Sequence, residues 1–197
     1  MIQFYTLPLG AYQTNCYVVH KDSETRCIVI DPGYEASEIL AFLETKGLSL
    51  EAVLLTHGHF DHVGAVRDLV ALTDCPVYLH PAETTMPPQM TAGPLYYTHS
   101  LAHGQPLTLA GLTVGVLHTP GHTPGCVCFQ IDTLLFTGDT LFAGSCGRTD
   151  LPGGNWETIT RSLAFLKTLE APYRVLPGHG GATTLEREKA ANPYMRG

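Results

Sequence analysis

The chain has 197 residues, enough for one domain with a substantial buried core. With 44% apolar and 15% charged residues its composition is that of a globular protein, and a net charge of −7 speaks against the basic face that nucleic-acid binding needs. No apolar run reaches the roughly 20 residues of a membrane span, and the start Met1-Ile2-Gln3-Phe4-Tyr5 shows no basic-then-apolar secretory signal, so a cytoplasmic location is expected.

In chain order, residues 2–7, 15–20 and 26–31 read as short strands. The turn signals Pro8 and Gly10, Lys21-Asp22-Ser23, and Pro32-Gly33 separate them. Residues 36–46 have helical spacing, with Ile39, Leu40, Phe42 and Leu43 on one side and Gly47 as the stop. Residues 52–56 read as a buried strand, 63–70 as a helix and 76–80 as another strand. Residues 81–103 are irregular and hold Pro87, Pro88 and Pro94. Strands follow at 112–117, 125–131 and 134–137. A helix at 156–169 is expected to be capped by Asn155 and anchored to the core by Trp156. A last strand at 174–176 and a closing helix from Leu185 complete the chain. No linker or repeat divides it, so residues 1–197 are expected to form a single domain.

Six cysteines (Cys16, Cys27, Cys75, Cys126, Cys128 and Cys146) lie mostly in strand-like segments and read as free thiols of a reducing compartment. Two sheets with helices outside would account for helix–strand alternation framing a strand-rich middle, although periodicity alone does not fix that topology.

Between the strand 52–56 and the following helix stand His57-Gly58-His59-Phe60-Asp61-His62. Imidazole and carboxylate are strong ligands for borderline transition metals. His57 and His59 alternate, so an extended loop can aim both at one ion. The adjacent Asp61 and His62 would point toward a second. Three more ligand-type residues follow strands beside glycine: His122 in Thr119-Pro120-Gly121-His122, Asp139 in Phe136-Thr137-Gly138-Asp139, and His179 in Leu176-Pro177-Gly178-His179. Strand ends of this kind are where α/β proteins place their chemistry.

With these motifs the sequence resembles the metallo-β-lactamase-fold hydrolases over nearly its whole length. The resemblance implies an α/β fold, a four-layer αββα sandwich of two mixed sheets flanked by helices. It implies two divalent metal ions, zinc first and iron or manganese as alternatives. His57, His59 and His122 would hold one ion, Asp61, His62 and His179 the other, and Asp139 both. Asp61 and Asp139 would be the acidic members of the catalytic centre, around a hydroxide held by the two metals.

The segment from Gly144 to Gly154 and the ending from Pro177 to Pro193 are similar to single-domain glyoxalase II-like proteins. That resemblance implies a hydroxyacylglutathione hydrolase-type thioesterase, cleaving S-lactoylglutathione or related S-acylglutathiones to hydroxy acid and thiol. A small-molecule, glutathione-linked thioester would be its partner, without nucleic acid or membrane. Against the larger glyoxalase II enzymes, the chain is expected to lack their C-terminal helical, glutathione-binding extension. Where they place a lysine it has Arg148, and where they place a tyrosine it has Asp150, which could pair with Arg148.

Arg148 is thus a candidate substrate contact. Cys146, near the expected site, is a candidate thiol, with an inert cysteine as the plainer reading. Tyr96 and Tyr97 are candidates for a substrate groove. His118 is a candidate to orient the His122 loop, and Thr56 and Thr140 to support ligands. The rival activities on the same motifs are a one-iron persulfide dioxygenase using His57, His122 and Asp139, or another binuclear hydrolase such as a lactonase, phosphodiesterase or RNA nuclease. A β-lactamase would imply export, for which no signal is seen, and a non-catalytic metal protein would close its ligand shell.

Overall fold

The computed structural model describes residues 1–91 and 93–196. The first half runs β1 (Ile2–Leu9), β2 (Thr14–Lys21), β3 (Arg26–Ile30), α1 (Ala36–Lys46), β4 (Ser49–Leu54), α2 (Phe60–Val63), α3 (Val66–Thr73), β5 (Val77–Leu79), a 3₁₀ turn (Pro81–Thr85) and β6 (His99–Ser100). The second half runs β7 (Pro106–Leu109), β8 (Leu112–His118), β9 (Val127–Ile131), β10 (Leu134–Gly138), β11 (Leu141–Phe142), β12 (Ser145–Cys146), α4 (Trp156–Lys167), β13 (Arg174–Pro177), β14 (Thr183–Thr184) and α5 (Leu185–Ala191).

The first sheet has the order β1-β2-β3-β4-β5-β6, antiparallel up to β3 and parallel from there. The second has the order β14-β13-β10-β9-β8-β7, antiparallel except where β13 lies parallel to β10. The inner strands β2, β3, β9 and β10 bury both faces over most of their length, whereas β8 alternates, with Val114 and Val116 buried and Thr113 exposed. Tyr17, Ile28, Ile30 and Leu54 of the first sheet meet Val114, Val116, Phe129 and Phe136 of the second. Their strand neighbours Val18, Val29 and Val53 turn outward onto Ile39 and Leu43 of α1 and Leu69 of α3. Leu135 and Val175 turn outward onto Ile159, Leu163 and Leu166 of α4 and Leu185 of α5. The result is the expected helix–sheet–sheet–helix sandwich. No helix among the described residues is long and apolar enough to cross a membrane.

Three local expectations need correction. Pro8 continues β1 rather than ending it, paired with Asn15, because β1 is an edge strand and a missing amide donor there costs no ladder bond. The helix expected at 63–70 is two pieces: α2 begins earlier, at Phe60, and α3 starts afresh at Val66. The break falls where the Ala65 amide turns away to donate to the Pro32 carbonyl at 3.0 Å. Trp156 does not anchor α4 in the core; it is 55% exposed and rests edge-on against Tyr194. Asn155 does cap the helix, its side chain accepting from the Thr158 amide at 2.8 Å.

Candidate metal centre

β3 and β4 run parallel in the first sheet. In the second, β8 and β10 are each antiparallel to β9, and β13 is parallel to β10, so all three run the same way. The segments leaving the C-terminal ends of these five strands carry Asp31, His57 to His62, His122, Asp139 and His179. His57 and His59 lie on extended chain, whereas Asp61 and His62 sit on the single turn of α2. Two glycines permit the convergence. A Cβ on Gly178 would stand 2.2 Å from Asp139 Oδ1, and one on Gly121, at φ +139°, would stand 2.3 Å from the Ile159 amide nitrogen of α4.

The sequence-predicted ligands come together as two triads, each with its ligand atoms within 4.8 Å of one another: His57, His59 and His122, and Asp61, His62 and His179. Asp139 reaches both. Its Oδ2 is 3.5 Å from His122 Nε2 and 3.6 Å from His179 Nε2, and its Oδ1 is 3.4 Å from His62 Nε2. Asp31 also lies within 4.8 Å of His57 and His62, but its oxygens are already engaged. Oδ1 accepts from the Thr56 amide at 2.7 Å, and Oδ2 from the Thr56 hydroxyl at 2.6 Å and His62 Nδ1 at 2.9 Å.

These outer bonds fix which ring nitrogen is bare. The Thr56 hydroxyl spends its proton on Asp31, so His57 Nδ1, 3.0 Å away, donates to the hydroxyl oxygen and His57 Nε2 carries the lone pair. His122 Nδ1 donates to the Arg148 carbonyl at 2.8 Å, and His179 Nδ1 donates to the Tyr12 carbonyl at 3.2 Å. His62 Nε2 and His179 Nε2 then face each other at 3.3 Å, and His59 Nδ1 faces His122 Nε2 at 2.9 Å. The bare nitrogens of His62 and His179 cannot stay so close without a proton or a cation between them, whereas His59 has no bond behind it to fix its tautomer, its Nε2 being buried without a hydrogen-bond partner among the described residues. His57 Nε2 and Asp139 Oδ1 are buried with no hydrogen-bond partner among the described residues. Orphaned lone pairs, turned inward on rings whose outer N–H groups donate to acceptors behind them, are what a metal ion satisfies, so the residues fit divalent cations.

Protonation follows the same geometry. Burial, reinforced by the neighbouring imidazoles, pushes the His57 pKa well down and that of His59 to about 4. Burial also acts against charge on His62, but Asp139 and Asp31 outweigh it and lift His62 to about 9. His179 is raised too, its burial offset by Asp61. Burial would raise Asp61; the hydrogen bond from His179 and the charge of His62 instead hold it below the usual carboxylate range.

The triads open into a cleft of about 590 Å³ whose wall includes Tyr12, Phe60, Met90, Phe142, Cys146 and Arg148. Arg148 stands exposed at its rim in a bidentate pair with Asp150, both contacts 2.7 Å. Cys146 lines the wall half-buried, and burial raises its thiol pKa, which favours the inert form. Tyr96 and Tyr97 do not line this cleft. They pack against the cluster between the first sheet and its helices, and Tyr96 lies under the Arg67 guanidinium, 5.8 Å from the ring centre. Thr56 supports His57 as expected, whereas Thr140 bonds Thr119 instead of a ligand. His118 touches the His122 loop through the Pro124 carbonyl at 3.0 Å.

Sequence reasoning missed Asp31 and Glu83. Asp31 had a readable signal, since Asp31-Pro32-Gly33 ends a strand just as the other ligand segments do. Glu83, in the irregular stretch, had none.

The sequence matches the family model of the metallo-beta-lactamase superfamily over residues 9–179. Hydroxyacylglutathione hydrolase GloC of Haemophilus influenzae is 35% identical, the alignment covering 96% of each chain. Among solved structures, the BLEG-1 B3 metallo-beta-lactamase superposes with a TM-score of 0.91 at 37% identity over 99% of this chain and 100% of that one. TTHA1623 in a di-iron-bound form superposes with a TM-score of 0.85 at 41% identity over 96% and 99%. The all-histidine triad and its Asp/His neighbour, the sandwich that presents them and the match across residues 9–179 place this chain in the metallo-beta-lactamase superfamily.

Proposed function

We propose that the chain is a metal-dependent thioester hydrolase of the glyoxalase II type, cleaving S-lactoylglutathione or a related S-acylglutathione to hydroxy acid and thiol. The observation that carries this reading is the pair of triads converging on Asp139, with lone pairs left bare by the bonds behind them. The likeness to GloC supports the substrate class.

His57, His59 and His122 would hold one divalent ion, Asp61, His62 and His179 a second, and Asp139 would contribute to both. Zinc suits this nitrogen-rich set, and the di-iron form of TTHA1623 makes iron the first alternative. When bound, such a pair supplies an acidified water as nucleophile and electrostatic stabilisation of the developing oxyanion. The protein's own part is preorganisation. Asp31 and Thr56 lock His57 and His62, and the Arg148 and Tyr12 carbonyls lock His122 and His179. The apolar wall of Tyr12, Phe60, Met90 and Phe142 excludes water beside the reacting carbonyl. A thiolate leaves without a strong acid, so a cleft whose titratable neighbours are committed to the triads is sufficient. Arg148 at the rim is placed to take a substrate carboxylate. The free cysteines suit a reducing compartment, and we place the enzyme in the cytoplasm.

The test is elemental analysis of protein purified without added metal, paired with cleavage of S-lactoylglutathione and of a β-lactam. Two ions per chain and thioester turnover, both lost in Asp139→Ala, are expected. Full turnover in Asp139→Ala would defeat the assignment. Oxygen uptake on glutathione persulfide without thioester cleavage would replace it with persulfide oxidation.

A further inference from the structure

Glu83 is a fully buried carboxylate with no part in the chemistry above. It sits on the 3₁₀ turn that follows β5. Its Oε2 accepts the Gly58 amide at 2.6 Å, and its Oε1 accepts both the Gly125 amide and the Thr123 hydroxyl, each at 2.6 Å. Charge-assisted bonds of this kind are roughly twice as strong as neutral ones. Gly58 separates His57 from His59, and Thr123 and Gly125 flank the chain just beyond His122. One side chain therefore ties the ligand loop of the first sheet to a ligand loop of the second. The members of the other triad are held by bonds that do not involve Glu83. Asp61 accepts from the Thr14 hydroxyl at 3.1 Å, His62 is bonded to Asp31, and His179 to the Tyr12 carbonyl.

We propose that Glu83 is a positioning residue that sets the geometry of the His57–His59–His122 pocket and leaves the Asp61–His62–His179 pocket to its own supports. This inference rests on the metal-binding reading given above. Its consequence is an asymmetry: one buried carboxylate tunes one of two adjoining metal pockets.

Glu83→Gln is the informative change. A glutamine keeps the size but presents one amide group, so it must aim N–H at either the Gly58 amide or the Gly125 amide and Thr123. At least one donor then faces another donor. Cobalt(II) titration of the metal-free protein against a chelator gives the two stepwise affinities. Proton NMR of the cobalt form assigns them, because the first pocket contributes three shifted imidazole N–H signals and the second two. Outer-shell changes typically cost about 10–100-fold in metal affinity. We expect a loss of that size in the three-signal pocket and a change within about twofold in the other. Equal losses in both pockets, or none in either, would overturn the role of Glu83. Should Glu83→Gln fail to fold, Thr123→Val removes one of the three donors at nearly constant volume and should give a smaller loss with the same selectivity. A wild-type chain that binds no cobalt overturns the functional reading and this inference together, an outcome distinct from unaltered binding in the variant.

Discussion

Arg148, the candidate substrate contact, is paired with Asp150. Its guanidinium is held by Asp150 in a bidentate pair at the rim of the cleft, and the pair draws the Asp150 carboxyl down to about 2. Both groups are exposed, so solvent screens the bond and a substrate carboxylate can exchange with Asp150 at little cost. Arg148→Ala should therefore raise KM for a carboxylate-bearing thioester on the order of threefold while leaving metal content unchanged. Asp150→Ala should lower the same KM, because it frees the guanidinium. Steady-state kinetics with a charged and an uncharged thioester separates these cases, and an unchanged KM in both variants would remove Arg148 from substrate binding. At this scale the seven ligand positions were legible because each carries its chemistry in its own side-chain type, and five of them, all but Asp61 and His62, stand beside a glycine. Glu83 was not, since it acts on two backbone amides and a hydroxyl that meet it only after the loops have folded together, and the strand-end signal of Asp31 did not say that it would act on the Thr56 amide and hydroxyl and one ring nitrogen of His62.

Among the elements, α4 links scaffold and centre most directly. Its outer cap Asn155 donates its backbone amide to the Gly121 carbonyl at 2.8 Å, next to His122, while its side chain accepts from Thr158. Ile159, Leu163 and Leu166 then bury the helix against the second sheet. Asn155→Ala should cost about 1 kcal/mol of stability, a fall of roughly 2–4 °C in Tm for a chain this size, without altering the fold. Thermal unfolding followed by circular dichroism measures it, and an unaltered Tm would show that the side-chain cap is dispensable. The long elements were legible because the apolar spacing of α1 and α4 and the doubly buried strands are strong patterns. The two-residue strands β6, β11, β12 and β14 are too short to carry an apolar period and exist only through their pairing, β6 with β5 some way upstream, β11 and β12 with each other, and β14 with β13. The start of α2 inside the histidine motif was hidden for a related reason. Its four residues carry ligands rather than an apolar stripe, so no periodicity announces them.

For the whole molecule, the centre's histidines couple metal, protons and folding. In the metal-free protein two effects oppose each other around the unfolded histidine pKa of about 6.5. His57 and His59 have lowered pKa values, so the unfolded chain binds more protons than the folded one as pH falls from 6.5 toward 4, and stability is lost in that direction. His62, lifted to about 9, and His179, also raised, do the reverse: their contribution is fully present below 6.5 and disappears as pH rises to 9. The chelated protein should therefore be most stable near pH 6.5 and weaken on both sides. Metal binding needs the same nitrogens bare, so a bound ion displaces the protons of His62 and His179 and its affinity grows with pH. Ligand linkage then stabilises the loaded protein by about 2.7 kcal/mol at free metal 100 times Kd, and more as Kd falls. Between pH 6.5 and 9 the denaturation midpoint of the chelated protein should drop while that of the loaded protein holds or climbs. The widening gap isolates the centre from every other titrating group, because those groups are common to both samples. Parallel curves across that range would mean that protons and metal do not compete at these histidines.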